Sequence, residues 1–123
     1  MANSITLNGT IRYDYGTTAT GTISTNTIAP SGSNYISNNI NLTSAGWTGL
    51  STSSLSDTRY IFLDNLDTTS SISVATDASG TNVISRLYPG DVSIISYSGS
   101  LLPLYAKVTS GSTATLAYII GEC

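Results

Sequence analysis

Histidine is absent from this chain, cysteine occurs once, and lysine and arginine together number four in 123 residues. Each scarcity removes a class of chemistry. Without imidazole there is no Ser-His-Asp triad, no histidine general base and no histidine metal ligand. The one cysteine, Cys123, can build neither an intrachain disulfide framework nor a cysteine-cluster zinc site. Four cations spread singly along the sequence form no basic patch, so binding to nucleic acid by phosphate neutralisation is not expected. No apolar run approaches the roughly 20 residues of a membrane helix. Met1-Ala2-Asn3-Ser4 leads straight into alternating sequence, so neither a membrane partner nor a targeting segment is expected.

Charge is also scarce, at 9% of residues with a net charge of −3, against roughly 25% charged residues in an ordinary soluble domain. Small hydroxyl side chains take its place, with 21 Ser and 19 Thr. Hydrophobic residues still make up 40% of the chain and recur periodically, unlike a disordered sequence. A chain that relies on hydroxyls and amides for its hydration, with little net charge, is prone to associate. That suits a protein held in a permanent assembly.

The dominant period is two. Ile5, Leu7, Gly9, Ile11 and Tyr13 alternate with polar residues, the pattern of a half-buried strand. Thr17 to Thr27 has Ile23 as its only large apolar side chain and reads as an edge strand, or an arm buried against a partner. Ala29 to Asn34 and Ser51 to Ser56 read as loops. Tyr35 to Leu42 alternates again, and Arg59 to Leu63 is a short continuous apolar run of the kind found in fully buried strands. Ile72 and Val74 mark a strand that ends at a turn over Thr76 to Gly80, with Asn82 to Leu87 as the return. Tyr88-Pro89-Gly90-Asp91 has Pro and Gly placed for a type II turn, with positive φ at Gly90. Val92 to Tyr97, a Ser98-Gly99-Ser100 turn, Leu104 to Thr109 and a last strand with Leu116, Tyr118 and Ile120 on one face complete the series. About nine or ten short strands at this spacing, with no helix, predict one all-β domain over residues 1–123. The expected architecture is a single β-sandwich, jelly-roll or immunoglobulin-like, with 1–34 as an arm or edge region.

No catalytic ensemble is expected. Asp64-Asn65-Leu66-Asp67 resembles part of a calcium loop but lacks the alternating ligand spacing and the closing Glu. A strand-ending Asx turn accounts for it, and no metal or cofactor is assigned. Asp77 and Asp91 each stand close to a Gly and read as turn formers rather than catalytic acids. Lys107 is the only lysine and lies mid-strand on the face of Tyr105, with no motif pairing it to a serine nucleophile. Tyr13 and Tyr15, around Asp14, are candidate surface aromatics. Trp47, between glycines, is the best single interface anchor. With Ile23 these make up the candidate subunit-interface set: Tyr13, Tyr15, Ile23 and Trp47.

From Arg59 onward an ordered series of short motifs stands out. An apolar strand ends in Asn65-Leu66-Asp67, a hairpin turns over Asp77-Ala78-Ser79-Gly80, and Leu87-Tyr88-Pro89-Gly90-Asp91 follows. Then come Leu104-Tyr105-Ala106-Lys107 and a closing Leu116-Ala117-Tyr118 strand. This order resembles a family of small structural proteins of tailed-bacteriophage particles and covers about half of the chain. The resemblance implies a β-sandwich component of the particle, either a capsid decoration (cement) protein or a tail or fibre part. With no catalytic ensemble, a non-enzymatic virion protein that decorates or cements the capsid is the expectation, its partners the major capsid protein and its own copies, as a homotrimer suited to capsid three-fold positions. A tail or fibre component, able to bind glycans, is the alternative. Gly121-Glu122-Cys123 and the first half of the chain depart from the pattern.

Overall fold

A computed structural model describes residues 5–15, 17–28, 35–52 and 55–122, and for 5–28, 98 and 99 it describes the backbone alone. The chain divides into two compact units, Met1–Ser33 and Asn34–Cys123, each described by itself. In the first, β1 (Ile5–Tyr15) pairs antiparallel with β2 (Thr17–Ile28), from Ile5 opposite Ile28 to Tyr15 opposite Thr17. The register slips between Leu7 and Gly9, where a glycine in a strand commonly marks a bulge.

The second unit holds eight strands: β3 (Tyr35–Thr43), β4 (Thr48–Gly49), β5 (Asp57–Asn65), β6 (Ser71–Ala75), β7 (Val83–Leu87), β8 (Val92–Ser100), β9 (Tyr105–Ser110) and β10 (Thr113–Gly121). They form two four-stranded antiparallel sheets, β3-β10-β5-β8 and β4-β9-β6-β7, packed as a β-sandwich. The pairing is nested, β3 with β10, β4 with β9, β5 with β8 and β6 with β7. It is the order obtained by rolling up one long hairpin whose tip is the turn between β6 and β7. Of the two expected sandwich topologies, this is the jelly roll.

Period-two sequence explains why these segments are strands with one buried side. In β10, Ala114, Leu116, Tyr118 and Ile120 are buried and the residues between them are not, Gly121 excepted. Ile61 and Leu63 of β5 and Leu42 of β3 lie beside them in the same sheet. Ile72, Val74, Leu87, Ala106 and Val108 from the other sheet close the core, with Leu50, Leu55 and Leu104 from the connections. The Tyr118 hydroxyl accepts a hydrogen bond from the Ser51 N–H at 3.3 Å, so its polar end is not stranded in the interior.

Two local expectations change. Ser98-Gly99-Ser100 is not a turn; it is the end of β8, paired with Asp57 and Thr58. Two β8 residues stand opposite Arg59 there, an irregularity of the kind a strand glycine accompanies. The Arg59–Leu63 run is not buried on both sides: Ile61 and Leu63 face the core while Tyr60 and Phe62 are half-exposed. The turn expected at Tyr88–Asp91 forms as read, with the Asp91 N–H bonded to the Tyr88 carbonyl at 2.9 Å and Gly90 at φ +79°. Trp47 packs its indole against Gly80, where φ is +73° and an added Cβ would overlap the ring.

Two substitutions probe this packing. Leu116→Ala should lower the unfolding free energy by about 2–5 kcal/mol, through lost burial and the cavity left behind. Gly80→Ala should cost about 1–3 kcal/mol, from overlap with Trp47 and the positive φ. Urea titration followed by the fluorescence of the one tryptophan measures both, and a Gly80→Ala protein as stable as wild type would refute the indole-on-glycine packing.

Candidate functional site

The two sheets show solvent very different outer surfaces. Registers place Tyr35, Gly121, Tyr60 and Ser96 in one cross-strand row of the β3-β10-β5-β8 sheet. The next row is Ser37, Ile119, Phe62 and Ile94, and the third is Asn39, Ala117, Asp64 and Val92. Large apolar side chains are left open there: Tyr35 is 69% exposed, Val92 54%, Ile119 43% and Ile94 41%. Leu66, just past β5, is exposed as well. The Arg59 guanidinium lies 5.3 Å from the centre of the Tyr60 ring, a cation–π contact at one end of this face. With strands about 4.8 Å apart and rows about 7 Å apart, the face covers on the order of 400 Å². Ser37, Asn39, Asp64 and Ser96 share these rows, so the apolar part is smaller than the whole face and centres on Ile119, Phe62 and Ile94. An exposed apolar patch of this kind is often functional.

The outer face of the β4-β9-β6-β7 sheet carries more charge, though Ile84 on β7 is 39% exposed there too. Lys107, Ser73 and Arg86 form one row, so two of the four cations stand on this face. Beside that row is a cleft of about 210 Å³ lined by Ser71, Arg86, Leu87, Tyr88, Thr109 and Ser110. A buried side chain holds its walls. The Asn65 amide nitrogen donates to the Ser70, Leu87 and Tyr88 carbonyls at 2.8, 3.2 and 3.1 Å. The third wall closes at Gly111, φ +99°, where a Cβ would overlap Ser70. Tyr88 itself is 68% exposed.

Asp67, Asp77, Asp91 and Glu122 serve turns or the segment after the last strand. Asp67 accepts the N–H groups of Thr69 and Ser70 at 2.9 and 2.6 Å, and those bonds, Thr69 first, hold its carboxyl below the usual range. Asn65 Oδ1 accepts the Asp67 N–H at 3.1 Å, which makes this segment the Asx turn read from the sequence. Asp77 accepts from the Ser79 hydroxyl and from the Thr81 and Asn82 N–H groups. With the Ser79 bond as the largest cause, its pKa falls to about 2. Asp91 accepts the Tyr88 N–H at 3.0 Å. Glu122, buried near the chain end, accepts from both the N–H and the hydroxyl of Ser56. Among the described residues no three acidic or cysteine side chains converge as a metal-ligand set.

Tyr13, Tyr15 and Ile23 fall on β1 and β2, at the Tyr13–Ala19, Tyr15–Thr17 and Gly9–Ile23 pairs, and their side chains lie outside the described residues. Trp47 is half-buried against Gly80, away from the rows that form the apolar face. The residues that make that face, Tyr35, Phe62, Val92, Ile94 and Ile119, did not stand out in the sequence. Their signal is a doublet: Ile94-Ile95 and Ile119-Ile120 each put one apolar residue on either side of a strand that otherwise alternates. The chain matches no known family model, no curated protein and no solved structure.

The folded-state pKa of Asp77 lies below the unfolded value of about 3.9. Its bonds therefore support the 76–82 turn fully above about pH 4 and are lost as the pH falls towards 2. Amide resonances of Thr81 and Asn82 should titrate with a midpoint near 2, and Asp77→Asn should abolish that titration. A midpoint near the unperturbed value of about 4 would show that these donors do not hold the carboxylate.

Proposed function

We propose that this chain is a non-enzymatic structural protein of a bacteriophage particle, decorating or cementing the capsid through protein–protein contacts. The observation that carries the reading is the apolar outer face of the β3-β10-β5-β8 sheet, with Tyr35, Val92, Ile94 and Ile119 open to solvent. Leaving such a face bare favours aggregation; covering it against a capsid subunit turns the same area into binding energy. The whole face, its polar positions included, is about half of the roughly 800 Å² that each partner contributes to a standard interface. Contacts from other surfaces of a homotrimer, with several copies gripping one lattice, supply the remainder through avidity. The ordered motifs from Arg59 to Tyr118 support the same reading, because the family they resemble consists of virion components. The low charge and abundant hydroxyls suit a protein that spends its life in an assembly.

A tail or fibre location is the second reading, and the cleft with Arg86 and Tyr88 is the observation that favours it.

Cryo-EM of particles carrying this protein should place its density on the capsid shell with the β3-β10-β5-β8 face turned towards a capsid subunit. Density confined to the tail would overturn the capsid assignment. The double variant Ile94→Lys, Ile119→Lys should bind capsids about tenfold more weakly or worse, with a melting temperature close to wild type, because both residues are partly exposed already. Unchanged capsid binding would remove the face from the mechanism.

A further inference from the structure

The cleft on the second sheet has a chemistry the capsid reading does not use. Arg86 lies on β7, an edge strand, with Ser73 as its register partner and Lys107 beyond it. No carboxylate stands in that row, and Lys107 is two strand spacings, about 10 Å, from Arg86. The nearest acid along the chain, Asp91, is engaged by the Tyr88 N–H. Arg86 is exposed, and the cleft it lines is shared with the open Tyr88 ring and with Ser71, Thr109 and Ser110, the Thr109 hydroxyl lying 3.4 Å from that of Ser73.

These groups are held before any ligand arrives. Asn65 ties the Ser70 and Leu87–Tyr88 walls together from beneath through its two amide N–H groups, one of them shared between two carbonyls. The bonds between Tyr88 and Asp91 fix the backbone under the exposed ring. Spending a buried asparagine on the backbone of a surface cleft makes that cleft rigid, and rigidity lowers the ordering cost of binding. At about 210 Å³ the cleft is smaller than the roughly 300–1,000 Å³ of drug-sized sites. It has room for one ring.

We propose that this cleft binds a single carboxylated sugar, such as a uronic acid unit of a glycan. A guanidinium pairs with a carboxylate through two parallel N–H···O bonds. Hydroxyls that both donate and accept match the vicinal hydroxyls of a pyranose. The Tyr88 ring offers a flat surface for the apolar side of the sugar. A phosphate group would call for more positive charge close by than one arginine supplies. A neutral sugar would accept hydrogen bonds from the guanidinium but leave its charge unpaired, which a carboxylate does not. The inference holds wherever in a particle the protein sits.

The test is a 15N-edited NMR titration of the full chain with methyl glucuronide, methyl glucoside and sodium acetate. Methyl glucuronide should shift the Ser71, Arg86, Tyr88 and Ser110 amides saturably, with a Kd in the millimolar range. Methyl glucoside and acetate should each bind about tenfold more weakly or worse. Arg86→Gln should erase the preference for the acid, and Tyr88→Ala should weaken both sugars by about five- to tenfold. Both residues are exposed, so each variant is expected to fold, and the unshifted amides of the core strands report that directly. Absence of saturable shifts up to about 50 mM would overturn the proposal. So would acetate binding as tightly as the glucuronide, or an Arg86→Gln protein that still prefers the acid.

Discussion

The last strand holds the sandwich together. β10 pairs with β3 along one edge and with β5 along the other, and every second side chain from Ala114 to Ile120 is sealed in the core. Because the pairing is nested, β3 and β10 enclose all the strands between them in sequence. Closing that outermost pair brings together residues some 70 positions apart, such as Asn41 and Thr115, whose side chains meet at 2.9 Å. Such distant closure costs chain entropy before any contact rewards it. It is offset by the apolar burial that follows when the second sheet is laid across the first.

The same strand also accounts for the division of labour between the outer faces. Burying Leu116, Tyr118 and Ile120 inward turns Ile119 outward, next to Phe62 and then Ile94. The apolar face is thus built from the residues between core residues. On the other sheet the equivalent positions are Lys107, Ser73 and Arg86. One sandwich therefore presents a surface centred on apolar residues on one side and, on the other, one that carries Arg86 and Lys107 beside the exposed Ile84. The proposed capsid contact uses the first and the proposed sugar site uses the second, so the two proposals do not compete for area.

Few charges do not leave this interior poorly specified. Asn65, Ser70, Thr58 and Glu122 are buried, as is Ser73 between its outer-row neighbours, and no buried side-chain nitrogen or oxygen among the described residues lacks a partner. Thr58 accepts the Leu102 N–H at 3.0 Å, which anchors the crossing from β8 to β9. Asn65 and Glu122 anchor the chain where it leaves β5 and β10. Satisfied buried polar groups of this kind penalise alternative registers, because a slip would leave each of them unpaired.

Much of this was readable beforehand. The all-β class, the period-two strands and the turns at Asp77–Gly80 and Tyr88–Asp91 depend on residues near one another in sequence, and local sterics decide them. The two-residue strand β4 was not readable, being too short to show a period. Nor was the Ser98–Ser100 segment, where pairing with Asp57 and Thr58 outweighs turn chemistry. The sequence by itself determined which residues alternate, and hence that two-faced strands would form. Only the tertiary structure decided which strands lie side by side. That ordering makes one surface of Ile119, Phe62 and Ile94, and one cleft of Arg86, Tyr88 and Thr109. Cross-strand neighbours are set by burial summed over the whole sandwich, and no local segment carries that sum.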